Sequence, residues 1–125
     1  MSKQPPIVAF VYGDLMKQRW VHFYHLKRLD AVDSIAYRGD LRHYRRDLAA
    51  LFDPASPWLV PGKLLAVPNE AVLRRLDLME RPQYRRVRLP GVWLDGHGWV
   101  EPWAYEFAGD SGLFARLPRV KEENA

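Results

Sequence analysis

The stretch FVYGDLM, residues 10–16, joins an apolar segment to a segment with helical periodicity. Residues 7–12 form a short apolar run bounded by a proline and a glycine, which predicts a buried strand. Residues 15–29 place apolar side chains roughly on one face and predict a helix. Asp14 directly precedes that helix, and its carboxylate can accept a bond from a free backbone N–H group. On these residues alone, the junction is interpreted as a tight turn with an aspartate cap.

Chain length and composition predict one domain with one core. The chain has 125 residues, and it contains no cysteine, which excludes disulfides, thiolate catalysis and Cys-ligated zinc. No apolar h-region of a signal peptide follows the polar N-terminus, and no apolar run approaches the length of about 20 residues that spans a bilayer. We therefore expect a cytoplasmic protein without a membrane segment. The core is expected over about 7–108, with a loose polar tail from about residue 118.

Positive charge clusters in two short segments, residues 42–46 and 84–88, within a chain of net charge +4. Such segments form a solvated strand face, one side of an anion pocket or a nucleic-acid surface. No RRM, KH or zinc-finger signature accompanies the charge, so nucleic acid is the less favoured partner.

The histidine pattern offers a weak metal hypothesis. His22 and His25 are spaced i, i+3 on the first predicted helix and could share a metal. No third ligand is evident, and surface histidines explain the pair better. We therefore predict neither a metal nor another cofactor.

The remaining elements are mainly strands. Extended segments are predicted at 35–52 (two strands), 58–67, 84–94 and 98–107, the last two joined by a hairpin turn at 95–98. A second helix is predicted over 69–80, where Asn69 can cap the start and Pro82 stops the end.

Glu80 stands at the end of the second predicted helix. It lies four residues after Leu76 and seven after Leu73, so it continues the apolar stripe of that helix. Burial and the negative end of the helix dipole both disfavour the carboxylate and should raise its pKa, as suits a general base. The alternative is that Glu80 turns outward at a frayed helix end and pairs with Arg81 or Arg86.

Three stretches together resemble the γ-glutamylcyclotransferase-like family, which includes γ-glutamylamine cyclotransferases and AIG2-like proteins. They are FVYGDLM (10–16), VPGKLLAV (60–67) and LRRLDLMERPQYRRVRL (73–89). The residues that match the family pattern are Tyr12, Gly13 and Leu15, then Gly62 and Leu64, then Leu76, Asp77, Glu80, Tyr84 and Arg86.

The resemblance implies an α+β fold, with a small, largely antiparallel barrel-like sheet and two packed helices. It also implies a monomer or homodimer that converts a small-molecule γ-glutamyl amine or amide to 5-oxoproline and a free amine. The catalytic glutamate of the family falls on Glu80. Backbone N–H groups of Tyr12, Gly13, Asp14 and Leu15 would then bind a substrate carboxylate or oxyanion.

Residues on the strand after the second helix would complete the substrate site that the resemblance implies. Tyr84 and Arg86 share one strand face by period-two spacing, as would Arg88. Any of the three could hold the substrate α-carboxylate, although Arg86 could instead pair with Glu80 and lower its pKa.

Three residues depart from the family pattern. Asp14 replaces a threonine or serine, Lys63 a glutamate and Leu65 a tyrosine. Asp14 could act as a helix cap, or it could face the cleft and select a cationic group. The departures also leave two alternatives open, a catalytically inactive small-ligand-binding member of the same fold and, less favoured, a basic nucleic-acid-binding domain.

Overall fold

The computed structural model describes residues 7–24, 26–29 and 35–120, except for the side chains of residues 14–16, 23 and 28. The described helices are α1 (Asp14–Tyr24), α2 (Glu70–Glu80) and α3 (Ser111–Arg116). The described strands are β1 (Ile7–Val11), β2 (Lys27–Arg28), β3 (Ile35–Tyr44), β4 (Asp47–Phe52), β5 (Leu59–Val67), β6 (Tyr84–Arg88), β7 (Val92–Leu94), β8 (Gly98–Val100) and β9 (Trp103–Phe107).

The main sheet has the strand order β4-β3-β5-β1-β9-β6, with β2 also paired to β5. Its neighbours are antiparallel except for the parallel pair β1 and β9. Side chains bring the two ends of the sheet together. The Tyr84 hydroxyl donates to the Leu48 carbonyl at 2.8 Å, and the Phe52 amide donates to Glu106 Oε2 at 3.1 Å. The sheet is therefore nearly closed, which confirms the predicted α+β fold with a largely antiparallel, barrel-like sheet.

Aromatic side chains fill the interior beside β1. The ring of Phe10 is fully buried and lies edge-on to Tyr37 at 5.1 Å and to Phe52 at 6.0 Å between centroids. Gly62 faces the same ring from β5. A Cβ atom at this position would lie 2.4 Å from the Val11 carbonyl oxygen and 2.6 Å from the Phe10 ring, so no larger residue fits without a shift of the strand.

Helix α2 forms as its sequence predicts. The Asn69 side chain accepts from the Val72 amide at 3.0 Å, which satisfies one of the free N–H groups of the first turn. Leu73, Leu76 and Glu80 are the buried residues of the helix. The stripe therefore packs against the barrel and carries Glu80 with it.

Three predicted elements have the wrong bounds. The helix predicted over 15–29 begins at Asp14 and ends at Tyr24, because residues 27–28 pair with β5. The strands predicted over 84–94 and 98–107 are each divided in two. The breaks fall at 89–91 and 101–102, which contain Pro90 and Pro102. The hairpin turn at 95–98 is confirmed by the pairing of β7 with β8.

The C-terminal segment is more ordered than predicted. Helix α3 is a third helix where two were expected, and Asp110 caps it by accepting from the amides of Gly112 and Leu113. Beyond it, residues 118–120 run alongside β3. The His43 amide donates to the Pro118 carbonyl at 2.8 Å, and the Val120 amide donates to the Leu41 carbonyl at 3.2 Å. The expected loose tail is therefore wrong for 118–120, while residues 121–125 lie outside the described residues.

Candidate active site

Glu80 is buried at the end of α2, with a relative exposure of 2%. Its Oε1 atom accepts a hydrogen bond from Trp20 Nε1 at 3.2 Å, and Arg19 Nη2 lies 3.5 Å from the same oxygen. Glu80 therefore continues the buried stripe, as its spacing indicates. Within the described part of the chain its ion pair is with Arg19, and the alternative pairing with Arg81 or Arg86 is wrong.

The environment of Glu80 favours its protonated form. Burial raises the pKa of Glu80 above its ordinary value, and nearby Asp47 adds to the rise. The hydrogen bond from Trp20 and the charge of Arg19 lower the same pKa in part, but the net direction is upward. The pKa of Glu80 is thus shifted toward neutral pH, the direction that suits a general base.

Arg19 bridges two carboxylates that approach from different elements. Its Nη2 atom lies 3.3 Å from Asp47 Oδ2 in β4, in addition to its contact with Glu80 in α2. The side chain of Arg19 is 38% exposed, whereas both carboxylates are largely covered. Sequence reasoning missed Arg19 and Asp47, because neither belongs to a motif or continues an apolar stripe.

The turn between β1 and α1 lies against this cluster. Gly13 has a φ of 82°, and a Cβ atom there would lie 3.1 Å from Asp47 Oδ1. Its carbonyl accepts from the Lys17 amide at 3.2 Å, which places Gly13 at the cap position of α1 and Asp14 at the first helical position. The prediction that Asp14 is the cap residue is therefore wrong by one position. The side chains of Asp14 and Leu15 lie outside the described residues, so their predicted roles as substrate contacts stay predictions.

Tyr12 and Tyr84 are buried beside the cluster. Tyr12 donates to the Tyr105 carbonyl and accepts from the Ala50 amide at 3.2 Å, while Tyr84 donates to the Leu48 carbonyl. Burial raises the pKa of both hydroxyls above the ordinary tyrosine value, so both are neutral near pH 7. Their protons are engaged by backbone carbonyls, and substrate binding by either tyrosine stays a prediction.

Arg86 has partners other than Glu80. Its Nε atom lies 3.2 Å from Asp77 Oδ1, and its guanidinium lies 4.4 Å from the ring centroid of Trp103. The guanidinium of Arg88 lies over the same ring at 3.7 Å. The structure therefore places both arginines on Trp103, and a substrate carboxylate would have to compete with Asp77 for Arg86.

Two of the residues that depart from the family pattern lie in β5. Lys63 pairs in register with Val11, next to the turn, and Leu65 is fully buried opposite Ala9. Leu65 thus belongs to the core, where its apolar side chain needs no partner.

Metal and membrane features are absent from the described residues. No cluster of three or more His, Cys, Asp or Glu side chains among them could hold a metal ion. His22 is exposed on α1, and His25 lies outside the described residues. No helix in the described ranges is long and apolar enough to cross a membrane.

Solved structures with the same fold come from distant organisms. An AIG2-like protein from Mus musculus is 23% identical with a TM-score of 0.62, over 97% of this chain and 90% of that chain. An uncharacterized protein from Pyrococcus horikoshii is 19% identical with a TM-score of 0.62, over 92% and 86%. A γ-glutamyl cyclotransferase is 14% identical with a TM-score of 0.52, over 82% and 66%. At these identities the likeness concerns the fold.

The family assignment comes from the sequence itself. The family model described as gamma-glutamyl cyclotransferase, AIG2-like, matches residues 9–123, which include the Gly13 turn, the β5 segment and Glu80. No curated protein matches the chain. Because the family model covers nearly the whole chain, the protein belongs to the gamma-glutamyl cyclotransferase, AIG2-like family.

Proposed function

We propose that the protein converts a γ-glutamyl amine or amide to 5-oxoproline and a free amine, with Glu80 as general acid and base. The observation that carries this proposal is the burial of Glu80 beside Trp20 and Arg19, in a chain of the γ-glutamyl cyclotransferase family. Among the described residues, two donors reach this buried carboxylate, an arrangement suited to exchange a proton rather than to form a structural ion pair.

The reaction needs no protein nucleophile. The nitrogen of the substrate α-amine forms a bond to the γ-carbonyl carbon, and the bond from that carbon to the leaving amine breaks. The attacking nitrogen loses two protons as it changes from an ammonium group to the lactam N–H. One is transferred to the departing nitrogen as its bond to carbon breaks, and the second protonates the released amine to an ammonium ion, so no water is consumed. Holding the substrate folded for ring closure can exploit effective molarities on the order of 10⁵–10⁸ M.

Glu80 is suited to carry the proton that the departing nitrogen needs. Trp20 and Arg19 both contact Oε1, so Oε2 has no protein partner among the described residues. In the proposed mechanism Oε2 takes the proton from the α-ammonium group and returns it to the leaving amine. The raised pKa of Glu80 favours the first transfer, because the carboxyl group holds a proton more readily than an exposed glutamate does.

The Gly13 turn is the proposed site for the developing oxyanion. It opens the first turn of α1, whose leading N–H groups have no acceptor within the helix. Such groups stabilise a negative oxygen when they point into a cleft. Tyr12, Gly13, Asp14 and Leu15 are therefore the proposed substrate-binding residues at this end, with Tyr84 beside them.

The experiment is a product assay with a matched pair of variants. Wild-type protein is incubated with a panel of γ-glutamyl amines, amino acids and peptides, and 5-oxoproline is quantified by mass spectrometry. Glu80→Gln should lower turnover by about 10²-fold or more, the usual contribution of a general base. Glu70→Gln, on the exposed first turn of the same helix, is the control and should keep full turnover.

Two outcomes would contradict the proposal. Full turnover by a folded Glu80→Gln variant would show that Glu80 is not the base. Absence of 5-oxoproline from every compound of the panel would favour the alternative of an inactive member that retains a small-ligand site.

A further inference from the structure

Arg19 lies between the two parts of the proposed site. On one side its guanidinium contacts Glu80, and on the other it contacts Asp47, whose Oδ1 atom lies against Gly13. The guanidinium thus stands between the proposed base and the proposed oxyanion turn. A cation in this position meets any anionic group that a substrate brings to the site.

Arg19 is held more loosely than the structural arginines of the same chain. Arg42 contacts Asp40 through two nitrogens at 3.0 and 2.9 Å, and Arg85 contacts Glu106 through two nitrogens at 3.0 and 2.9 Å. Among the described residues, Arg19 instead reaches two carboxylates, at 3.3 and 3.5 Å, and both contacts are made by Nη2. Charge-assisted bonds are strongest at about 2.7–2.9 Å with both nitrogens engaged, so Arg19 retains the capacity for a bidentate partner.

The other arginines considered for this role are less available. Arg86 is paired with Asp77 and covers Trp103, and Arg88 lies over the same ring and near Glu101. Neither forms an ion pair with Glu80 in the described part of the chain. Arg19 is therefore the arginine that the fold brings to the proposed base.

We propose that Arg19 binds the α-carboxylate of the γ-glutamyl substrate and thereby selects compounds in which this carboxylate is free. The inference rests on the proposed function and assigns a specificity-determining residue to it. The α-amine is bonded to the same carbon as the α-carboxylate. A carboxylate on Arg19 therefore leaves the amine beside Glu80, because Arg19 Nη2 is 3.5 Å from Glu80 Oε1.

Binding of the substrate would also change the surroundings of Glu80. The charge of Arg19 holds down the pKa of Glu80 in the free protein. When a substrate carboxylate draws the guanidinium toward itself, this effect weakens and Glu80 becomes a stronger base. The same contact thus recognises the substrate and prepares the group that deprotonates it.

The first test is a binding comparison that does not require turnover. 5-Oxoproline and 2-pyrrolidinone have the same ring and differ in the carboxylate, and their affinities are measured by titration calorimetry or ligand-observed NMR. Wild-type protein should prefer 5-oxoproline, and Arg19→Gln should weaken its binding by about 10- to 100-fold, the usual range for a charged hydrogen bond. Binding of 2-pyrrolidinone should not change. Arg75→Gln, an exposed charge removal on α2, is the control.

The second test uses kinetics with a matched substrate pair. For a γ-glutamyl amine with a free α-carboxylate, Arg19→Gln should raise KM, and Arg19→Lys should recover part of the loss. For the same compound with the α-carboxylate converted to a primary amide, the wild type should itself show a raised KM, and neither variant should raise that KM further.

The outcomes separate this inference from the proposed reaction. If the wild type prefers 5-oxoproline through Arg19 but forms no product, the reaction is wrong and the assignment of Arg19 stands. If turnover occurs while the wild type binds both rings equally, or while Arg19→Gln weakens both equally, the assignment of Arg19 is wrong. The wild-type comparison keeps the test decisive even if Arg19→Gln does not fold.

Discussion

The indole Nε1 of Trp20 donates to Glu80 Oε1 at 3.2 Å, which joins the buried face of α1 to the end of α2. Trp20 is itself fully buried and lies edge-on to Tyr105 at 5.4 Å between ring centroids. The indole is therefore held by packing and directs a single donor at the proposed base. The neutral indole orients the carboxylate without supplying a positive charge. The positive charge comes from Arg19, which approaches from the more exposed side.

Trp20→Phe tests this hydrogen bond. The ring is largely retained, but the donor is lost, and stability should fall by about 1–3 kcal/mol in urea denaturation. The bond from Trp20 lowers the pKa of Glu80, so its loss should raise that pKa and move the acidic limb of the pH–rate profile to higher pH. Trp99→Phe, at a position 60% exposed on the β7–β8 hairpin, is the control. An unmoved acidic limb would contradict the prediction.

The raised pKa of Glu80 predicts a pH-dependent stability difference between the wild type and Glu80→Gln. In the unfolded chain the carboxyl group loses its proton near its ordinary value of 4.5, whereas in the folded protein it does so at higher pH. Between these values the folded state binds more protons, so wild-type stability falls as pH rises. Above the pKa of Glu80 in the folded protein, the loss of wild-type stability relative to Glu80→Gln is constant. Below about pH 4.5 this loss disappears.

The measurement is a series of urea midpoints for both proteins from about pH 4 to about pH 8. Arg19 and Asp47 face position 80 in both proteins, so the comparison isolates the carboxyl group of Glu80. The urea midpoint of Glu80→Gln should exceed that of the wild type by an amount that grows as pH rises from about 4.5 to the folded pKa of Glu80, and that is constant above it. A difference that shrinks with rising pH would mean that the folded pKa is lowered.

Asp77 is predicted to stabilise the fold rather than to bind substrate. Its Oδ1 atom accepts from the Tyr105 hydroxyl and lies 3.2 Å from Arg86 Nε. Asp77→Asn and Arg86→Gln should each lower stability by about 1–3 kcal/mol, and the double variant should lose less than the sum. KM for a γ-glutamyl substrate should stay unchanged in Arg86→Gln. A raised KM with normal stability would instead support the role of Arg86 in substrate binding.

Asp14→Thr separates the two roles of Asp14. At the first helical position of α1 its charge is favoured by the helix dipole, an effect of about 0.3–1 kcal/mol. Replacement by threonine should therefore lower stability by no more than about 1 kcal/mol, and the relative rates with acidic and amine-bearing substrates should stay level. A large change in substrate preference without a change in Tm would assign Asp14 to the pocket.

Local signals in the sequence account for the elements that were predicted well. Asn69 and the apolar stripe define α2, and the turn at 95–98 defines the hairpin. Strand β2 has no such signal, because its two residues are extended only by pairing with β5. Helix α3 is six residues long, which is too short for a periodic apolar stripe. Its one local signal in the sequence is the cap residue Asp110.

The site was predicted only as far as its residues follow a pattern. Glu80 could be predicted because it continues the spacing of Leu73 and Leu76. Arg19 and Asp47 could not, since they meet Glu80 from a different helix and from a strand. Which arginine approaches the proposed base depends on tertiary packing, and the residues around each arginine do not encode it.

The pairing of residues 118–120 with β3 has a consequence for how this sheet meets other molecules. On the side facing β5, the backbone of β3 is paired over residues 35–38, and the following residues 41–43 would leave N–H and C=O groups bare. Residues 118–120 occupy that stretch. An edge strand with unpaired N–H and C=O groups is a template for pairing with another chain. Residues 118–120 cover this edge and so protect the sheet from edge-to-edge aggregation. A chain cut before Pro118 would expose this template while keeping the proposed site intact.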